Sequence, residues 1–234
     1  MYDRTINGTI HTFGVSGKLI RNVLVMYDRE TETLWSQLLG EAVEGPLLGT
    51  RLEPVAALQT TWGEWKQLHP ETLALAIGGP AYDSYVSYYT SNSAGVIGET
   101  LVDDRLPRKA MVHGLVIDGQ PVVYPFDRLA AEPIVNDTVN GVPVAVVYAA
   151  ETRTALAFRR AVDGQTLTFI PDAPGSGTFT GTFTDEETGS TWAALTGAAV
   201  TGPLQGKRLE RIPGTSSFWF GWKDFYPDTL ILGE

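Results

Sequence analysis

Residues 28–53 read DRETETLWSQLLGEAVEGPLLGTRLE, and residues 185–210 read DEETGSTWAALTGAAVTGPLQGKRLE. The two stretches align without a gap at an offset of 157, and 15 of their 26 positions are identical. A match of this length at a fixed offset indicates one structural unit that is used twice along the chain. The Gly-Pro pair and the short β-rich runs inside each stretch favour strands joined by tight turns. Asp28 and Asp185 occupy equivalent positions and are predicted to form turns, in which their side chains accept backbone N–H bonds.

The same offset continues into a second block. Residues 62–75 (WGEWKQLHPETLAL) align with residues 219–232 (WFGWKDFYPDTLIL). Each block predicts one short helix that ends before its proline, with Thr61 and Ser217 as the N-caps, followed by a strand over 73–77 or 230–232. We therefore expect a β-rich α+β fold with two homologous units, each built of antiparallel strands and one short Trp-bearing helix.

The predicted domain boundaries follow from where the repeat begins and stops. We expect a first unit over residues 1–77, a Gly/Ser/Tyr-rich linker over 78–108, and a second unit over 109–234. Residues 109–157 predict compact β structure, with hairpin turns at Asp118-Gly119 and Asn140-Gly141. The first unit has no counterpart of this block, so we expect its front half to be missing.

Several short motifs occur together in this chain. They are residues 13–19 (FGVSGKL), residues 26–37 (MYDRETETLWSQ), Asn136-Asp137 and residues 141–144 (GVPV). With these motifs the chain resembles, over nearly its whole length, the bacterial and archaeal family catalogued as domain of unknown function 3179. The resemblance implies no established activity, and it implies export where the native start lies upstream of Met1. The family's cysteine pair would fall at Ala149 and Thr152, so the chemistry of such a pair is absent here.

The composition excludes several classes of function. The net charge is −10 and the pI is about 4.8, which repels phosphate backbones, so no nucleic-acid partner is predicted. The chain has no cysteine, which excludes disulfides and thiolate nucleophiles. It has no apolar run near 18 residues and no signal-peptide pattern at its N-terminus. As written, the sequence predicts a soluble protein without a membrane span.

Two side chains of the first unit are the candidate catalytic residues. Ser16 lies in a Gly-Val-Ser-Gly turn, and a catalytic serine would need a histidine base such as the nearby His11. A nucleophile elbow needs glycine two residues after the serine, however, and Lys18 stands there. A tight turn therefore explains Ser16 without catalysis. The histidines of the chain are not closely spaced, so neither a metal site nor a cofactor is predicted.

The repeat separates scaffold from candidate binding residues. Side chains kept in both units, above all the tryptophans, are predicted to pack within each unit. Side chains without a counterpart in the other unit are better candidates for binding a ligand. These ligand-binding candidates are Ser16, Lys18, Tyr85, Tyr88, Asn136 and Asp137.

Three functions follow as hypotheses. The favoured one is a non-catalytic ligand-binding or assembly module for a small molecule or a protein partner, with its site in the cleft between the units. The first alternative is a hydrolase-type enzyme that uses Ser16, His11 and nearby carboxylates. The second is a truncated family member completed by a partner chain, which predicts a homo-oligomer formed through the incomplete first unit.

Overall fold

The computed structural model describes residues 1–76, 86–172 and 181–234. Within these ranges the chain is β-rich, with four short helices and sheets whose strands pair antiparallel in all but one case. The predicted β-rich class is confirmed. None of the described helices is long and apolar enough to cross a membrane.

The N-terminal part forms a hairpin and a four-stranded meander. Its elements are β1 (Thr5–Ile6), β2 (Thr9–Ile10), β3 (Phe13–Ile20), β4 (Val23–Asp28), β5 (Leu34–Ser36), β6 (Glu41–Glu44), α1 (Trp62–Leu68) and α2 (Val86–Thr90). The Thr61 hydroxyl accepts the Glu64 N–H at 3.3 Å, which confirms the predicted cap of α1. The predicted strand over 73–77 is wrong in its described part, since residues 73–76 pair with no described strand and Leu73 and Leu75 are exposed.

The middle of the chain forms β7 (Met111–Ile117), β8 (Gln120–Pro125), α3 (Phe126–Ala131), β9 (Ile134–Val139), β10 (Val142–Ala149) and β11 (Thr154–Arg159). Asp118-Gly119 and Asn140-Gly141 form the turns between paired strands, as predicted. All four turn residues have positive φ, the backbone that two-residue hairpin turns of this class require. Helices α2 and α3 were not predicted from the sequence.

The C-terminal part begins with a hairpin, β12 (Ala161–Val162) and β13 (Gln165–Thr166), and a second meander, β14 (Phe169–Pro171), β15 (Thr182–Asp185), β16 (Thr191–Ala193) and β17 (Ala198–Thr201). It ends with β18 (Arg211–Ile212), β19 (Gly214–Phe218), α4 (Trp219–Lys223) and β20 (Leu230–Ile231). Ser217 is not the cap of α4, because it belongs to β19 and pairs with Val112 there.

The core lies between stacked layers. The sheet β19-β7-β8-β20 packs through Leu115 and Tyr124 against Val146 of the sheet β18-β11-β10-β9. The opposite face of that second sheet packs through Phe158 against Trp192 of the C-terminal meander. Because β10 is buried on both faces, its sequence is a continuous apolar run without polar alternation.

Helix α4 covers the outer face of the sheet that contains β7. Trp219 and Trp222 pack there against Val112 and Val123, and all five residues of the helix are buried. The ammonium group of Lys223 is also buried and forms an ion pair with Glu99 at 2.7 Å. This helix therefore anchors the chain that precedes β7 to the back of the sheet.

Candidate functional site

A buried carboxylate organises the turn between β4 and β5. Asp28 accepts the N–H of Thr31 at 2.7 Å and the indole N–H of Trp35 at 2.9 Å. Burial raises the pKa of Asp28, but the hydrogen bonds from Trp35, Thr31 and His11 outweigh it, so the pKa lies below its ordinary value. Asp185 has the same kind of surroundings, with the Trp192 indole at 2.8 Å. The predicted turn-forming role of both aspartates is confirmed.

His11 lies against the carboxylate of Asp28. Its Nδ1 is 3.2 Å from Asp28 Oδ1 and 3.8 Å from Glu30 Oε2. Glu30 is held by the N–H of Thr12, which donates to Oε2 at 2.8 Å. One ligand atom from each of these three side chains lies within 4.8 Å of the others, and within the described ranges this is the group that could hold a metal ion.

Ser16 lies at an irregularity of β3, where the pairing register with β4 shifts between Val15 and Leu19. Its hydroxyl donates to the carbonyl of Val25 and accepts the N–H of Lys18 at 3.1 Å. No hydrogen bond joins Ser16 to His11, both of which are described. The structure therefore does not bring the two candidate catalytic side chains into the contact that a serine hydrolase needs.

Tyr88 lies on α2 in a small aromatic group. Its ring centroid is 6.0 Å from that of Tyr89 and 6.2 Å from that of Phe218, and the Lys109 ammonium lies 3.9 Å from it. This distance is in the range of a cation–π interaction. Tyr85, the other candidate of the tyrosine segment, lies outside the described residues.

Asn136 and Asp137 on β9 are engaged within the protein. The Asn136 amide donates to the Phe169 carbonyl at 2.7 Å and accepts the Phe169 N–H at 2.9 Å, so it joins β9 to β14. Asp137 accepts the phenol of Tyr124 at 2.8 Å. Burial, together with this nearby carboxylate, raises the pKa of Tyr124.

A cleft of about 850 Å³ lies between the N-terminal part and the sheet that contains β7. Tyr2, Arg51 and Glu53 line it on the N-terminal side. Trp222, Phe225 and Tyr226 supply rings from the C-terminal part. Gly114 of β7 allows the Trp222 ring to lie on the strand, since a Cβ at this glycine would lie 2.3 Å from that ring.

The polar groups of the cleft include two phenols and a guanidinium group. The Tyr2 phenol donates to the Leu38 carbonyl at 2.7 Å, and burial raises the pKa of Tyr2 to about 12. Burial also raises the pKa of Tyr226, so both phenols are neutral at physiological pH. Arg51 pairs with Glu41 at 2.8 Å while most of its side chain is exposed. The cleft thus offers aromatic surface beside an accessible guanidinium group.

The cleft and the sequence-predicted site residues do not coincide. None of His11, Ser16, Lys18, Tyr88, Asn136 and Asp137 lines it. Sequence reasoning missed Trp222 because it assigned the tryptophans kept in both units to packing, and it did not single out Tyr226. Their aromatic character was the available signal, but their proximity to Tyr2 depends on the fold.

A family model described as "Protein of unknown function (DUF3179)" matches residues 1–229 of the chain. No curated protein and no solved structure matches it. The match covers the resemblance motifs, both meanders and the cleft.

Proposed function

The chain belongs to the DUF3179 family, and because the function of that family is unknown, we propose from the geometry that it is a non-catalytic ligand-binding module. The observation that carries this proposal is the cleft of about 850 Å³, which lies within the size range of small-molecule sites. Its ligand is a small molecule with a flat apolar part and an anionic group. The rings of Trp222 and Phe225 would contact the flat apolar part, and Arg51 would contact the anionic group.

The test uses 8-anilinonaphthalene-1-sulfonate, a probe with aromatic rings and one anionic group. We expect saturable fluorescence enhancement with one probe bound per chain. Val116 lines the cleft and is 42% exposed, so Val116→Trp fills the cleft without disturbing the core, and we expect at least 10-fold weaker binding.

The matched control is Val200→Trp. Val200 is 41% exposed and lies outside the cleft, so this variant should bind the probe as the unmodified chain does. Equal affinity of the unmodified chain and Val116→Trp would show that the cleft is not the binding site.

The proposal includes an internal duplication, with units over 1–77 and 109–234 and a linker over 78–108. Equivalent hydrogen bonds at the offset of 157 support it. The Trp65 indole donates to Thr72 at 3.0 Å, and the Trp222 indole donates to Thr229 at 3.1 Å. A chain in which residues 185–210 replace residues 28–53 should fold, with unchanged circular dichroism. Loss of the folded signal would contradict the duplication.

A second function, assembly with another copy of the chain, is favoured by the exposure of the first unit's helix. Trp62 is 50% exposed, whereas Trp219 at the matching position, the first residue of α4, is fully buried. Leu73 and Leu75 nearby are also exposed, so an apolar face is uncovered. The prediction that tryptophans of both units pack in the core is therefore wrong for Trp62. No described strand covers α1 in the way that β7 and β8 cover α4.

Sedimentation velocity tests the assembly function. We expect a dimer at micromolar concentration that dissociates in Leu73→Asp/Leu75→Asp. The control Val15→Asp changes another exposed apolar residue, on β3, and should leave the dimer intact. A monomer at all concentrations would refute assembly while leaving the cleft proposal unaffected.

A further inference from the structure

We infer that His11, Asp28 and Glu30 form a binding site for a divalent transition-metal ion of the Zn²⁺ class. This inference departs from the sequence-based prediction of no metal, because the fold brings together residues that no short motif joins. It is independent of the cleft, which these residues do not line.

The distances fit a tetrahedral ion. Zinc–nitrogen and zinc–oxygen bonds of about 2.0–2.1 Å place ligand atoms about 3.3 Å apart. Nδ1 of His11 lies 3.2 Å from Asp28 Oδ1, close to that spacing. The distance between His11 Nδ1 and Glu30 Oε2 is 3.8 Å. A small rotation of the Glu30 side chain, which is one-third exposed, would shorten it to the required spacing. The fourth position would face solvent on the Glu30 side.

The surroundings suit a metal site as well. Carboxylate ligands in proteins are usually oriented by hydrogen bonds from other groups. Here the Thr31 N–H and the Trp35 indole hold Asp28, and the Thr12 N–H holds Glu30. A metal ion would bind Asp28 Oδ1 through the lone pair that faces His11. Because His11 would bind the ion through Nδ1, its imidazole proton would be on Nε2.

The chain contains a second copy of this frame without the histidine. The Thr168 N–H donates to Glu187 Oε2 at 2.7 Å, as that of Thr12 does to Glu30. At the position of His11 stands Leu167, which is fully buried. Its N–H donates to the Arg160 carbonyl at 2.9 Å, as that of His11 donates to Arg4 at 2.9 Å.

This comparison shows that the turn folds with leucine in place of the imidazole. Burying an imidazole there costs desolvation that leucine avoids, so packing alone does not account for His11. Metal ligation does account for it, together with the two carboxylates that already face the ring.

The experiment is isothermal titration of the full chain with ZnCl₂ after dialysis against EDTA. We expect one ion per chain, and Co²⁺ in its place should give visible absorption of tetrahedral intensity. His11→Leu copies the residue of the second frame, so it should fold and weaken zinc binding at least about 100-fold, more than loss of a supporting group does. Glu30→Gln, on the surface, should weaken it at least about 10-fold.

The second frame supplies a gain-of-site variant and a control. Leu167→His places a histidine beside Asp185 and Glu187, and we expect it to raise the stoichiometry from one ion to two. Glu187→Gln in the unmodified chain should leave binding unchanged. Failure of the unmodified chain to bind Zn²⁺ at micromolar concentration, or full binding by His11→Leu, would overturn the inference. A Leu167→His chain that still binds one ion would also contradict it.

Discussion

Protonation of His113 should make the stability of this protein fall between pH 7.5 and pH 5. His113 lies on β7 between Tyr124 of β8 and Ser216 of β19. Its Nδ1 is 3.1 Å from the Ser216 hydroxyl, and its Nε2 is buried and has no hydrogen-bond partner among the described residues. Burial lowers the pKa of His113 from 6.5 to about 4.

The sign follows from which state binds the proton. The unfolded chain takes up a proton at His113 below pH 6.5, while the folded chain stays neutral there until about pH 4. The contribution to stability is therefore complete above pH 6.5 and is lost as the pH falls. At pH 5 the solution is 1.5 pH units below the pKa of 6.5 in the unfolded chain. Each unit corresponds to about 1.36 kcal/mol, so the free energy of unfolding falls by about 2 kcal/mol.

Urea denaturation followed by tryptophan fluorescence at pH 7.5 and pH 5 measures this loss. His113→Gln keeps a polar partner for Ser216 but does not titrate, so its loss of stability between the two pH values should be about 2 kcal/mol smaller. His69→Gln, which removes an exposed histidine, is the control for the loss of a histidine as such. Equal pH dependence of the unmodified chain and His113→Gln would refute the reasoning.

Two matched pairs of variants test the packing by the same urea assay. Gly202 and Gly206 both have positive φ (90° and 87°), so alanine strains either backbone by about 1–2 kcal/mol. Only at Gly202 would the added Cβ also lie 2.6 Å from a backbone atom. Gly202→Ala should therefore lower the free energy of unfolding by about 1–3 kcal/mol more than Gly206→Ala does, and equal losses would contradict this. Lys223→Met leaves Glu99 Oε2 without its cation, while Arg108 still pairs with Oε1, and should lower the free energy of unfolding by about 1–3 kcal/mol, whereas Lys66→Met on exposed α1 should stay within about 0.5 kcal/mol. Similar stability of the two lysine variants would show that the buried ion pair is not needed.

Features set by neighbouring residues were predicted well from the sequence. The Asp28 turn, the Thr61 cap and the Asp118-Gly119 hairpin each depend on side chains within a few positions of one another. Such turns and caps follow from hydrogen bonds that short polar residues make to nearby backbone. The cap at Ser217 failed because a distant strand, β7, pairs with that residue.

Features that depend on distant parts of the chain were not predictable in the same way. Trp62 and Trp219 stand in nearly the same local sequence, yet the first is half-exposed and the second is buried, because only the second has β7 and β8 beside it. The cleft likewise needs Tyr2 to lie near Tyr226, which no spacing along the chain implies.

The sequence by itself determined the β-rich class, the hairpins and the Asp28 turn, since these arise from interactions over a few residues. Only the tertiary structure decided that His11 would face both Asp28 and Glu30, and that aromatic rings from the two ends of the chain would line one cleft. The physical reason is that contacts between distant residues depend on how the sheets stack, and stacking is a property of the whole core rather than of any one motif.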